Sequence, residues 1–121
     1  MTVDPRRAVR AVLRHVFDVG GGAPDGIDAE PGVCQPREPY RGETVRRLAF
    51  ACPGCGSWGS IACGSPKPTD GVGGQKVTGP TWDIAGGTLD DPSTLSLSPS
   101  IHCVGCCGWH GYLTAGEFKP C

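Results

Sequence analysis

Cysteines are the residues in this chain best placed to do chemistry. Cys52-Pro53-Gly54-Cys55-Gly56 is one C-x2-C knuckle, and the run His102-Cys103-Val104-Gly105-Cys106-Cys107-Gly108-Trp109-His110 contains a second. C-x2-C spacing turns two thiolates inward onto one tetrahedral ion, at about 2.3 Å each. Two such pairs supply four thiolates and leave no open position. That pattern is expected of a single structural Zn2+.

The second knuckle offers more ligands than the ion needs. One set is Cys52, Cys55, Cys103 and Cys106. A competing set keeps Cys52 and Cys55 and takes Cys107 and His110, which have C-x2-H spacing. A third takes Cys103 with Cys107. Adjacent Cys106 and Cys107 are expected to point in different directions and not to share one ion. A histidine beside a tryptophan is also commonly a packed or hydrogen-bonding residue, so His110 has a non-ligand reading, and His102 more so. Cys34, Cys63 and Cys121 read as free thiols, and Trp58, Trp82 and Trp109 as core.

The bulk composition explains why a cross-link is expected. The chain has 121 residues, 38% of them apolar, with 20 Gly and 12 Pro. One domain is the natural reading, and much of it must be turns. The eight cysteines also admit a disulfide framework. However, Met1 to Phe17 carries four arginines with no uninterrupted apolar stretch after them, which argues against an export signal. A cytoplasmic location is the expectation, with a virion as the alternative. In a reducing compartment C-x2-C pairs favour metal over disulfide. No stretch approaches ~20 apolar residues, so no membrane span is expected. A net charge of -1 implies no general attraction to nucleic acid.

The elements that must position the knuckles divide the chain into three. Residues 1–19 read as a basic amphipathic helix. Asp4 and Pro5 start it, Ala8, Val9, Val12 and Val16 form one face, and Arg6, Arg7, Arg10 and Arg14 the other. Residues 20–43 read as a Gly/Pro-rich linker, exposed and mobile. Residues 44–121 read as a zinc-clasped β domain. Its strands are expected at 44–51, 57–62, 81–84 and 94–98, with a final hairpin of 110–113 and 117–119 about Ala115-Gly116. The fold class is α+β, mostly β: a small zinc-ribbon-like antiparallel body behind an N-terminal helix.

From Phe50 to Cys121 the chain resembles a poorly characterised family of small bacterial and phage metal-binding proteins. FACPGCG at 50–56, Trp82, SLSPSI at 96–101 and CGWHGYLTAGE at 107–117 carry the resemblance. It implies a phage or prophage origin, a metal-binding body, and Cys107 with His110 as ligands in preference to Cys106. It implies no reaction.

No catalytic motif is legible. A zinc deaminase pairs C-x2-C with H-x-E or C-x-E, and neither is present. CPGC resembles a redox dithiol, but Gly56 to Ser60 is a poor start for the helix that chemistry needs. H-E-x-x-H, P-loop and G-x-S-x-G motifs are absent. A hydrolytic zinc with three protein ligands and a water, served by Asp83, Asp90, Asp91 or Glu117, is a further alternative. The sequence therefore reads as a non-catalytic module that binds a partner. The partner would be a phage virion or host protein, or nucleic acid held through Arg6, Arg7, Arg10 and Arg14. A virion accessory protein of the capsid or tail is the structural alternative.

Overall fold

The computed structural model describes residues 8–14, 30–69, 74–77 and 79–121. Ten strands form two sheets, and no helix occurs among the described residues that belong to regular elements. They are β1 (Val9–Arg10), β2 (Val12–Leu13), β3 (Val33–Arg37), β4 (Arg47–Ala51), β5 (Trp58–Gly64), β6 (Thr81–Thr88), β7 (Asp91–Ser98), β8 (Ile101–His102), β9 (His110–Thr114) and β10 (Glu117–Pro120). The larger sheet runs β2-β3-β4-β5-β6-β7 and curls until β2 meets β7, a nearly closed barrel. The smaller sheet runs β1-β10-β9-β8. Pairing is antiparallel except for β2 with β3 and β5 with β6.

Alternation makes these segments strands, because side chains i and i+2 share one face. In β7, Pro92, Leu95 and Leu97 point inward while Asp91, Ser93 and Ser98 are exposed. In β9, Gly111 and Leu113 are buried between exposed His110, Tyr112 and Thr114. β4 is buried along its whole length, as a central barrel strand must be. The two sheets share one core. Phe50 of the barrel stacks on Phe118 of the small sheet with centroids 5.8 Å apart, and Trp109 meets Phe118 edge-on at 6.0 Å. Backbone bonds lock the join: the Gly116 amide donates to the Leu95 carbonyl at 2.9 Å, and the Ala115 amide to Ser96 Oγ at 2.8 Å.

Three expectations change. The all-β architecture replaces the α+β reading, because residues 8–14 are extended and not helical. Their hydrogen bonds go to other strands: the Ala11 amide donates to the Gly116 carbonyl at 2.8 Å, Val12 to Gly32 at 2.9 Å, and Arg14 to Cys34 at 3.0 Å. Ala11, 2% exposed, is the point where this short segment crosses from the small sheet to the barrel. Helical spacing of apolar residues lost to the chance of pairing with two open sheet edges. Asp4, Pro5, Arg6, Arg7, His15 and Val16 lie outside the described residues. Residues 33–37, read as part of a mobile linker, form β3 inside the barrel, and Cys34 is fully buried there. The strands expected at 81–84 and 94–98 lengthen to eight residues each, β6 and β7, and leave only Leu89-Asp90 as the turn between them.

Candidate metal centre and serine–histidine site

The segment from Ser100 to His110 carries both chemical features of the molecule. It leaves β7 at Pro99, forms the short β8, turns through 103–109 and enters β9. The turn is closed on itself. The Cys103 amide donates to the Trp109 carbonyl at 2.7 Å, and the Gly108 amide donates to the Cys103 carbonyl at 2.9 Å.

The turn delivers two sulfurs to the first knuckle. Cys52, Cys55, Cys106 and Cys107 place their Sγ atoms within 4.8 Å of one another, and Cys52 Sγ lies 3.5 Å from Cys107 Sγ. The edge of a tetrahedron of thiolates around zinc is about 3.8 Å, from a Zn–S bond of about 2.3 Å. The cluster can therefore hold a metal ion such as zinc. Two details adapt it to that use. The Gly54 amide faces Cys52 Sγ at 3.4 Å, as a donor to a metal-bound sulfur does. A Cβ on Gly54 would lie 2.5 Å from Cys107 Sγ, so only glycine lets the knuckles close.

Protonation reflects the crowding. Burial pushes the Cys52 thiol up, beyond the ordinary range, and raises Cys103 to about 11. Burial also acts on Cys55, but hydrogen bonds from Ser57 and the Cys106 and Cys107 thiols outweigh it and bring Cys55 down to about 6. Neighbouring thiolates repel, so the cluster holds few negative charges without a cation. A bound divalent ion reverses that balance and takes all four as thiolates.

The structure thus groups Cys107, and not Cys103, with Cys52, Cys55 and Cys106. Adjacent Cys106 and Cys107 both face the centre, against expectation. They sit in a turn, where successive side chains are about 100° apart, and not in a strand, where they oppose. Cys103 lies beside Cys52 and lines a neighbouring cleft. The third alternative, Cys103 with Cys107, is not what the turn brings together.

His110 turns away from the sulfurs. Its Nε2 lies 2.9 Å from Ser100 Oγ, an ordinary hydrogen-bond length. Strand register explains the meeting. His102 and His110 are cross-strand partners between β8 and β9, and Ser100, two residues before His102, is the diagonal neighbour of His110 on the same face. The His102 and His110 ring centroids lie 4.8 Å apart, with the planes tilted by 31°. Ser100 is held from behind: Trp82 Nε1, reaching from β6, donates to the Ser100 carbonyl at 3.2 Å. Among the described residues no carboxylate is hydrogen-bonded to His110. Of the acids considered as bases, Asp90 is clasped by Arg46 at 2.8 Å and Asp91 accepts from Ser93, both remote in sequence from this turn.

Ser100 was not singled out in the sequence. Its only signals are its place in the SLSPSI segment and its position two residues before a strand histidine. Neither forms a known motif, because the pair is assembled by register across two strands.

A hydroxyl hydrogen-bonded to an imidazole is the minimum of an activated nucleophile. The comparisons agree with it. A family model described as "Bacterial ubiquitination-like system serine protease (BubE)" matches residues 27–121, a span that contains Ser100, His110 and all four clustered cysteines. No curated protein and no solved structure matches the chain. The family match overturns three expectations: the kinship with phage metal-binding proteins, the zinc-ribbon label, and the reading as a binding module without catalysis. Hydrolysis, held above as an alternative only in a zinc-dependent form, is the reading it favours, through a serine. This chain belongs to the BubE family of serine proteases of bacterial ubiquitination-like systems.

Proposed function

We propose that the chain hydrolyses peptide-type amide bonds with Ser100 as nucleophile and His110 as general base. The observation that carries this is the 2.9 Å contact between Ser100 Oγ and His110 Nε2. For that contact to activate the serine, Nε2 must accept and the ring proton must sit on Nδ1. Ser100 Oγ then attacks the substrate carbonyl carbon while its proton passes to Nε2. The C–N bond breaks, and the leaving nitrogen takes that proton from His110. Water attacks the resulting ester, gives a proton to His110, and the acid product leaves as the proton returns to Ser100 Oγ. The family description, a serine protease of a bacterial ubiquitination-like system, supports a protein tail or a protein conjugate as the substrate.

In the same reading Cys52, Cys55, Cys106 and Cys107 hold one structural zinc. Four sulfurs fill the coordination sphere, so the ion supplies rigidity. Cys107, in the turn, is three residues before His110, the first residue of β9. Fixing that turn fixes the imidazole against Ser100.

The test is labelling with a fluorophosphonate probe together with hydrolysis of fluorogenic peptides. One covalent adduct mapped to Ser100 is expected, lost with Ser100→Ala and His110→Ala. Hydrolysis by Ser100→Ala at the wild-type rate would sink the proposal.

A further inference from the structure

A cleft of about 320 Å³ lies between β5 and the segment that follows Ser100. Ile101, His102 and Val104 form one wall, and Trp58 to Ile61 the other. Phe50 and Trp82 also line it, and Trp82 is the residue bonded to the Ser100 carbonyl. Ser100 and His110 do not themselves line the cleft; it begins at Ile101, the next residue along the chain, and it also borders Cys52, Cys103 and Cys106.

Four observations describe what fits it. First, β8 is the last strand of its sheet, so its outer edge has no strand partner among the described residues. Second, β6 pairs with β5 only from Ala62 onward, which among the described residues leaves Gly59 to Ile61 without a strand on that side. Two strand edges thus face one gap, an arrangement that accepts an added extended chain through main-chain hydrogen bonds. Third, no Asp, Glu, Lys or Arg lines the gap, and most of the lining is apolar. The Ser60 hydroxyl, buried and without a hydrogen-bond partner, is a polar group left for an incoming backbone. Fourth, Val104 is 76% exposed at the rim, an apolar side chain awaiting cover.

We infer that this cleft is the substrate groove, and that it takes a peptide in extended conformation with an uncharged apolar side chain next to the scissile bond. The inference rests on the serine-protease reading for the bond cut, but not for the binding. Side chains at alternate positions of the added strand would point to Trp58 and Trp82 on one side and to solvent on the other. A compact folded surface does not enter such a gap; a flexible tail does.

The experiment uses the full chain with Ser100→Ala, so that binding is read without cleavage. The probe is an acetylated, amidated peptide of about eight residues with leucine beside the central amide. Its affinity is followed through tryptophan fluorescence. Binding at least tenfold tighter than the aspartate counterpart is expected, with a similar loss when alternate backbone amides are N-methylated. Gly59→Leu in that background, which fills the space over Phe50, is expected to weaken binding at least tenfold with zinc content unchanged. If Gly59→Leu does not fold, Trp58→Ala serves instead, and is expected to shift the preference from leucine toward a larger aromatic residue. Equal binding of leucine and aspartate peptides, or indifference to N-methylation, overturns the inference. Leucine-peptide binding without fluorophosphonate labelling of the unmutated chain removes the serine reading and leaves the groove. Labelling without selective binding removes the groove alone.

Discussion

Cys107, in the turn, and His110, the first residue of β9, stand three residues apart and face two different partners. Cys107 Sγ lies 3.5 Å from Cys52 Sγ, while His110 Nε2 lies 2.9 Å from Ser100 Oγ. Their C-x2-H spacing suggested a shared metal, but β9 begins at His110 and sends its side chain to the opposite strand. The cysteine cluster and the serine–histidine pair are joined by the short stretch between them. Buried Trp109 fills that stretch and packs against Gly54 of the first knuckle and Gly111 of β9.

This separation predicts distinct phenotypes for the two residues. His110→Ala should lower peptide hydrolysis on the order of 10³-fold or more and leave zinc content at that of wild type. Cys107→Ser should lower both. Elemental analysis alongside peptide kinetics distinguishes them. Loss of zinc with His110→Ala would return His110 to the ligand set.

Gly54→Ala isolates the closure of the knuckles. The added methyl group would meet Cys107 Sγ at 2.5 Å, and backbone on both sides must give way. Zinc affinity should fall about tenfold or more, as for other changes that displace a metal ligand from behind. A chelator competition series reads the shift, and activity should fall in parallel with zinc occupancy.

Trp82→Phe removes the donor that holds the Ser100 carbonyl at 3.2 Å. One neutral hydrogen bond contributes about 1 kcal/mol, which corresponds to roughly a fivefold change in rate. The effect should appear in kcat for a short ester that does not fill the groove, with fluorophosphonate labelling slowed and zinc content unchanged. An unaltered labelling rate would show that Trp82 does not position the serine.

Two thiols should be silent. Cys34 and Cys63 are buried, and burial pushes each from 9.0 up to about 12. At neutral pH they stay protonated and should resist iodoacetamide until the chain unfolds, whereas exposed Cys121 reacts at once. The same shift sets a pH dependence. The folded state keeps these protons longer than the unfolded state, so stability is constant below pH 9 as far as these groups go. It then falls as pH rises from 9 toward about 12. Denaturant titrations should show that slope reduced in a Cys34→Ala, Cys63→Ala double variant.

The ion pair of Arg47 and Glu43 offers a check on the barrel. Two bonds of 2.8 Å join them, both side chains are nearly buried, and the guanidinium lies 4.3 Å above the Tyr40 ring. Glu43→Ala leaves a buried charge without its partner, and should destabilise the fold by about 3–5 kcal/mol. Chemical denaturation measures it directly. A loss near zero would mean the pair is solvated in solution.

Much of the body was legible in the residues themselves. β7 and the final hairpin follow from alternation and from Ala115-Gly116, whose φ angles of 46° and 80° make the tight turn, and β4 and β5 from the apolar residues that flank the first knuckle. The pairing of Cys52 with Cys55 follows from C-x2-C spacing, because a two-residue turn is a local constraint, whereas the second knuckle contributes adjacent Cys106 and Cys107 and not its C-x2-C pair. Tertiary structure decided the rest. It made residues 8–14 extended, because two sheet edges offered partners that a solitary helix lacks. It buried Cys34, because β3 is needed to continue the barrel. It chose Cys107 over Cys103, because the turn from 103 to 109 curls its later sulfurs toward Cys52. Above all it created the contact of Ser100 with His110, which depends on how β8 pairs with β9. Ligand spacing is written along the chain, but a nucleophile and its base that meet across a strand pair exist only once register is set.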